Sequence, residues 1–333
     1  MYIHLGQVDL KTGEQMALGC VRCPDPSWSA QVLPLLGHKS RESREHFEQA
    51  FAGPLDQLDT RFYIGTIGGI AVTNVMIVGA LRRWGGVAIL GHVYTRPEHR
   101  QKGAYNALMA AQMEHIRQDG YRLITLSTGF ETHPYWIYHR YGFRSIDGTS
   151  GKMKWLADER AEADYLAPGP TTVRPMRWDD WAPLEALAFQ PVRPDEELPR
   201  SVLFGLKGQG GVEGPFQAVR RRIRRREAIQ AVVLETAHGA TVGWAALQPD
   251  PFAFGDARQL DLYVHAGFEP DAPKLLAALD LDAAARVRAY SAPPDGYRAA
   301  SLREAGFTRT AELPDWLARG DERLPLRVYT RAG

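Results

Sequence analysis

The chain has only two cysteines, Cys20 and Cys23, so no disulfide framework can organise it. With so few thiols, a reducing, cytoplasmic location is the default expectation. No apolar run approaches the roughly 20 residues that a membrane span needs. The opening stretch Met1–Lys11 has neither the basic nor the apolar region of a signal peptide. An excess of one charge is also missing: 40 Lys and Arg stand against 39 Asp and Glu, a net +1, so nothing global draws the protein to nucleic acid or a membrane surface. The 333 residues suffice for one or two domains, each with its own core.

The cysteines form one Cys20-x-x-Cys23 pair. Zinc would need two more ligands, and there is no second pair. A redox pair would sit at a helix start, which Pro24-Asp25-Pro26 disfavours. The pair reads as structural, and no metal is expected.

The most informative stretch present runs from Val87 to Ile116. Val87–Thr95 is apolar, β-branched and aromatic, and predicts a strand. Pro97 stops it, because proline cannot donate to a ladder. From Gly103 to Asp119 the chain is rich in Ala, Leu, Met, Gln and Glu, which predicts a helix. Leu108, Met109, Met113 and Ile116 fall near helical spacing, so one face packs on a sheet. Between strand and helix lies the basic turn Arg100-Gln101-Lys102-Gly103-Ala104. The free N–H groups of a helix's first turn and its dipole attract an anion. Gly103 lets backbone approach closely, and Arg100 and Lys102 add charge. The spacing is neither a Rossmann fingerprint nor a Walker loop. By themselves these residues fit an ordinary surface turn as well as a phosphate site.

The flanks decide between the two. A second strand, Tyr121–Ser127, follows, and then Pro134-Tyr135-Trp136-Ile137-Tyr138-His139-Arg140-Tyr141-Gly142-Phe143. An R-x-x-G-x-(G/A) helix start, a strand and a short helix ending Y-x-x-x-G-F resemble the GNAT superfamily of acyl-CoA-dependent N-acyltransferases. The matching residues are Arg100, Gly103, Tyr138, Gly142 and Phe143, and the resemblance covers about residues 60 to 157. One position departs: the last small residue of the glycine motif is Tyr105 here, as in GNAT branches of the enhanced-intracellular-survival type.

The resemblance implies acetyl-CoA as acyl donor and co-substrate. It implies a cofactor site at Val93, Tyr94 and Thr95, where a strand end pairs with the pantetheine arm, and at Arg100, Gln101, Lys102, Gly103, Ala104 and Tyr105, around the pyrophosphate. Pairing is chemically reasonable, since pantetheine has two amides and acts like an added strand. The resemblance also puts Tyr138 beside the thioester sulfur, where a phenol can protonate a departing thiolate. The alternative for Tyr138 is an aromatic packing its turn. A base is needed if the acceptor is an ammonium, and His92, His133 and Glu131 are candidates. None is chosen over the others.

Before this core, Gln15–Arg22 predicts a strand, and Ser27–Leu36 and Ser43–Phe51 predict helices that the resemblance places at the acceptor pocket. Arg61–Ile67 and Ile70–Gly79 predict a hairpin about Gly68-Gly69. Residues 1–12 have no clear pattern. After the core come the turn Asp147–Gly151 and a strand at Lys152–Leu156. Trp136–Tyr141 is expected to be helical. Ala157–Gly169, closed by Pro168-Gly169-Pro170, reads as a linker.

The second half restarts with a strand at Thr171–Met176 and a helix at Asp179–Phe189. Strands are expected at Ala228–Thr236, Thr241–Leu247, Arg258–His265 and Ala284–Ser291, and a helix at Arg298–Ala305. Ala305-Gly306-Phe307 echoes Tyr141-Gly142-Phe143, and Leu262-Tyr263-Val264 echoes Val93-Tyr94-Thr95, so duplicated domains are expected. The echo has no R-x-x-G, has acids where phosphates would sit, and has Leu302 in the place of Tyr138. The run Arg220–Arg226, interrupted only by Ile223, lacks interleaved aromatics and reads as a solvated helix face, with an anion or nucleic-acid patch as the minority reading.

The expectation is an α/β protein of two GNAT-like domains in tandem, each a mixed sheet flanked by helices. Residues 1–158 form the catalytic domain, 159–170 a linker and 171–333 a degenerate second domain. The expected activity is acetyl transfer from acetyl-CoA to a primary amine, directly in a ternary complex. The acceptor is a small molecule or a peptide, with no membrane or nucleic-acid partner. The alternatives are a non-catalytic acyl-CoA-binding or sensing protein and a nucleic-acid-binding module built on the arginine run.

Overall fold

The apolar runs assemble into two mixed β-sheets, seen in a computed structural model that describes residues 1–82, 84–191, 212–250, 257–319 and 321–332. The chain divides into two compact units, one formed by Met1–Asp164 with Trp178–Phe189, the other by Tyr165–Arg177 with Gln190–Gly333.

In the first unit the strands are β1 (Tyr2–Asp9), β2 (Gln15–Arg22), β3 (Asp59–Ile67), β4 (Ile70–Arg82), β5 (Gly85–Thr95), β6 (Tyr121–Ser127), β7 (Arg144–Ser145) and β8 (Lys152–Leu156). Their order across the sheet is β1-β2-β3-β4-β5-β6-β8-β7. Neighbours are antiparallel except for the parallel pair β5/β6. The β3–β4 turn has positive φ at both Gly68 and Gly69, the conformation that suits a tight hairpin. Strand β1 occupies residues in which the sequence has no clear pattern. It is an edge strand with a bulge between His4 and Gly6 and no buried residue before Leu10, so burial imposes little alternation on it.

The helices are α1 (Ser29–Val32), α2 (Arg41–Ala52), α3 (Ala104–Gln118), α4 (His133–Arg140), α5 (Ala161–Tyr165) and α6 (Trp181–Ala188). Helix α3 buries Leu108, Met109, Gln112, Met113 and Ile116 against the sheet, the expected stripe plus one glutamine. Helix α4 begins three residues before the expected Trp136, because Pro134 falls in its first turn, where no N–H partner is required. Helix α5 forms inside the stretch expected to be a linker. Its Ala161 is buried, and Arg122 holds Asp158 at 3.0 Å and Asp164 at 3.5 Å on either side of it. Helix α6, read in the sequence at Asp179–Phe189, is buried from Trp181 to Leu187. It packs on β4, β5 and β6 of this unit.

The second unit contains β9 (Thr171–Pro175), β10 (Gln230–Thr236), β11 (Thr241–Pro249), β12 (Ala257–Val264), β13 (Arg286–Ser291), β14 (Thr308–Arg319) and β15 (Glu322–Ala332). Their order is β9-β10-β11-β12-β13-β15-β14, and only β12/β13 is parallel. This is the order and the sense of β2 through β7 in the first sheet, strand for strand, so the expected repeat is present as topology. Among the described residues the second unit's α-helices are α7 (Glu213–Arg224), α8 (Ala272–Ala277) and α9 (Tyr297–Glu304). The β14–β15 ribbon has no counterpart in the sequence reading, since most of β14 is exposed and a bulge lies between Leu313 and Leu317.

The arginine run ends α7. Arg220 donates to the Met176 carbonyl, Arg222 pairs with Glu227 at 2.8 Å and donates to Gln248 at 3.1 Å, and Arg224, Arg225 and Arg226 are exposed. Both cysteines are free, and burial pushes each thiol up to about 12. Among the described residues, no helix is long and apolar enough to cross a membrane, and no group of three or more His, Cys, Asp or Glu side chains could hold a metal ion.

Candidate active site

Strands β5 and β6 start side by side and then part. They pair only from Gly86 to Ile89 on β5, although β5 runs on to Thr95. On the other edge β5 stays with β4, but with one residue too many: His92 and Val93 stand opposite Val75, between the pairs Asn74↔Tyr94 and Met76↔Gly91. His92 takes φ +50 to make this bulge, and Asn74 Nδ2 donates to its carbonyl at 2.8 Å. Among the described residues, no strand pairs with the β6-side edge of β5 beyond Ile89.

The turn after β5 and the start of α3 close on this fork. Gln101 and Gly103 have φ of +62 and +92, and no side chain caps α3. Residues with positive φ ahead of an uncapped helix leave several N–H groups facing one concavity, with the dipole's positive end behind them. Arg100 stays beside the strand end, its Nε donating to the Thr95 carbonyl at 3.0 Å and its guanidinium 5.8 Å from the Tyr94 ring centre.

One cavity of about 960 Å³ joins these parts. It is lined by Val93, Tyr94, Thr95, Arg100, Gln101, Gly103, Ala104 and Tyr105, together with His133 and Tyr138. Of the expected cofactor residues only Lys102 is absent. Its Nζ binds Glu14 at 2.8 Å, which with Thr12 holds that carboxyl below its ordinary value. Of the expected catalytic residues, His92 is absent from the lining. Its ring meets Phe47 edge to face at 4.7 Å. Glu131 does not line the cavity either.

Tyr138 sits on α4 with 6% of its surface exposed. Burial raises its phenol above the ordinary value, partly offset by a hydrogen bond with Tyr105. Gly142, at φ +94, ends this helix, and the Phe143 N–H returns to the Tyr138 carbonyl at 3.2 Å. Tyr141 ties α4 to the start of α3 by donating to the Asn106 carbonyl at 2.8 Å.

Several lining residues escape a reading of the sequence. Lys11, His99 and Arg140 add basic groups, and among the described residues no carboxylate lines the cavity. Lys11 arrives from the β1–β2 turn, where its N–H donates to the Lys102 carbonyl at 3.2 Å. His38 stacks on Tyr94 with ring centres 5.0 Å apart, and burial lowers its pKa. Nothing local marks Lys11 and His38, because each meets the site through a contact distant in sequence.

The site suits a ligand with amides at one end and phosphates at the other. An unpaired strand edge can take the amides. An uncapped helix start with basic neighbours in the lining can take the phosphates. Acyl-CoA has both.

Residues 65–146 match the family model described as the acetyltransferase (GNAT) domain. Among solved structures the chain is similar to a ribosomal-protein-alanine N-acetyltransferase from Brucella melitensis, at 19% identity over 49% of this chain and 99% of that one, with a TM-score of 0.40. An N-acetyltransferase from Staphylococcus aureus is similar at 16% identity over 49% of this chain and 99% of that one, with a TM-score of 0.40. A spermidine N-acetyltransferase from Vibrio cholerae, solved with CoA and spermine, is similar at 12% identity over 49% and 95%, with a TM-score of 0.37. No curated protein matches.

Proposed function

We propose that the first unit transfers an acetyl group from acetyl-CoA to a primary amine, directly in a ternary complex. The observation that carries this reading is that the open β5 edge, the uncapped start of α3 and Tyr138 face one cavity. Acetyl-CoA would supply an acyl group already activated as a thioester. Val93, Tyr94 and Thr95 would hold its amides through backbone groups. Arg100, Gln101, Gly103, Ala104 and Tyr105 would hold its phosphates, with Lys102 contributing only through a charge already paired with Glu14. Tyr138 would keep a proton at its hydroxyl for the sulfur that leaves. His133, which shares the cavity, is the better placed of the two histidines to take a proton from the acceptor. His92 would serve through the bulge it forms. Residues 171–333 would be a second, degenerate domain joined through a linker at 159–170.

The test is calorimetric titration of the full chain with acetyl-CoA, beside Gly103→Glu, followed by thiol release with a panel of polyamines, aminoglycosides and peptide amines. One site per chain, lost in the variant, with amine-dependent thiol release, supports the reading. Binding with no thiol release for any amine would favour a sensing protein. No binding would overturn the proposal.

A further inference from the structure

The repeated strand order gives the second unit a fork of its own. Strands β12 and β13 pair in parallel only over Ala257–Leu260 and Arg286–Ala289, while β12 runs on to Val264 and β13 to Ser291. In the first unit the corresponding fork faces the cavity. Here it is filled from within. Arg298, only 3% exposed, lays its guanidinium across the gap. Its Nη1 donates to the Leu262 carbonyl on β12, and its Nε donates to the Tyr290 carbonyl on β13 at 2.6 Å. The Tyr297 hydroxyl accepts from the Val264 N–H at 2.8 Å. The Asp261 carboxylate stands 3.7 Å from Nη2.

Helix α9 ends before Gly306-Phe307 as α4 ends before Gly142-Phe143. Counting back nine residues from each glycine sets Tyr297 against His133, and the next step sets Arg298 against Pro134. His133 and Pro134 line the open cavity. A proline side chain has no donor with which to bridge two strands, whereas an arginine has five. Carbonyls and N–H groups of a parted, buried strand must find partners. In the second unit its own first turn of α9 provides them. The phosphate end differs in the same sense: Glu269 and Asp271 precede α8, and Asp271 is itself paired with Lys274 at 2.8 Å.

We propose that Arg298 and Tyr297 are the built-in occupants of the second fork, so that this chain takes an acyl-CoA at the first unit only. The donor's identity rests on the function proposed above; the occupancy of the fork does not.

The experiment has two arms, both on the full chain. Calorimetric titration with acetyl-CoA counts sites in the natural protein and in Gly103→Glu. One site and none are expected, and a site that persists in Gly103→Glu would overturn the proposal. Hydrogen exchange at the Val264 amide is measured in the natural protein and in Tyr297→Phe, which keeps the ring and removes the acceptor. Exchange at least tenfold faster in the variant is expected, and unchanged protection would overturn the proposal. If the natural protein binds no acetyl-CoA, the donor reading of the first unit fails, and the exchange arm still decides whether the second fork is occupied.

Discussion

Tyr105 and Tyr138 meet edge to face beside the cavity, with ring centres 6.4 Å apart and planes at 84°. Tyr105 stands where the glycine motif otherwise has a small residue, so this chain uses a bulky ring at the helix start and turns it onto the tyrosine proposed as acid. Burial and this neighbour together keep Tyr138 in place.

Tyr138→Phe removes one hydroxyl and keeps the packing against Tyr105 and Phe143. Turnover is expected to fall about 100-fold or more, the range of a lost general acid. Acetyl-CoA affinity should change little, because binding rests on β5 and α3. Because burial raises the phenol above its ordinary value, it stays protonated through neutral pH, and Tyr138 should impose no alkaline limb below about pH 10. Steady-state thiol release and calorimetry check both statements, and equal turnover in the two proteins would remove the acid role.

Gly103→Ala and Gly103→Glu separate backbone strain from charge. A Cβ at Gly103 meets only Lys11 Cγ, at 3.9 Å, so there is room for one. What alanine costs is the left-handed φ of +92, roughly 1–2 kcal/mol. Glutamate adds a carboxylate at the concavity proposed for phosphates. Alanine is expected to keep acetyl-CoA binding with a lowered Tm, and glutamate to abolish binding. Equal affinities in the two variants would remove the anion role of this turn.

Arg61 lies within the first unit at 1% exposure. It donates to Asp59 from Nε at 3.0 Å and from Nη2 at 2.6 Å, and it also reaches Asp119. Asp59 further accepts from Tyr121 at 2.8 Å and Arg22 at 3.0 Å. Burial pushes the Asp59 carboxyl up, but these donors, Arg61 first, hold it below its ordinary value. Arg61→Met should cost about 3–5 kcal/mol in denaturant unfolding, since it leaves a buried carboxylate short of partners. A depressed carboxyl stabilises the fold above its unfolded value, so this contribution should be lost as pH falls below about 4. A cost near zero would mean that water already reaches the pair.

The elements that could be read in the sequence are those whose signal is local. The Gly68-Gly69 hairpin, the strand–turn–helix from Val87 and the Gly142 helix end all declare themselves within a few residues. Strand β1 and the β14–β15 ribbon do not, since one is a half-buried edge and the other is largely exposed. Helix α6 was legible as a helix, but its packing on β4, β5 and β6 was not, because apolarity on every side says only that it is buried. Within the site, the basic turn marks Lys102 as a phosphate ligand, but nothing in it announces the pairing of Lys102 with Glu14, 88 residues earlier. Arg298 carried no sequence signal at all. Its meaning depends on a fork made by two strands and on the proline that takes its place in the other half.

Asp261 beside Arg298 makes the second fork sensitive to pH. Burial pushes its carboxyl up to about 7, against the pull of Arg298, Gln259 and Gln248. The unfolded value is about 3.9, so the folded chain binds this proton more tightly than the unfolded one. The stability it contributes is therefore complete below about pH 4, is lost as pH rises towards 7, and changes no further above that. The span of about three units sets an upper bound on the order of 4 kcal/mol. Asp261→Asn removes the titration and leaves Arg298 held by the Leu262 and Tyr290 carbonyls. Urea unfolding between pH 4.5 and 8 is expected to show declining stability in the natural protein and a flatter profile in the variant. If the two profiles are parallel, Asp261 stays ionised in the fold, and a buried ion pair, rather than the carbonyls alone, holds Arg298 across the fork.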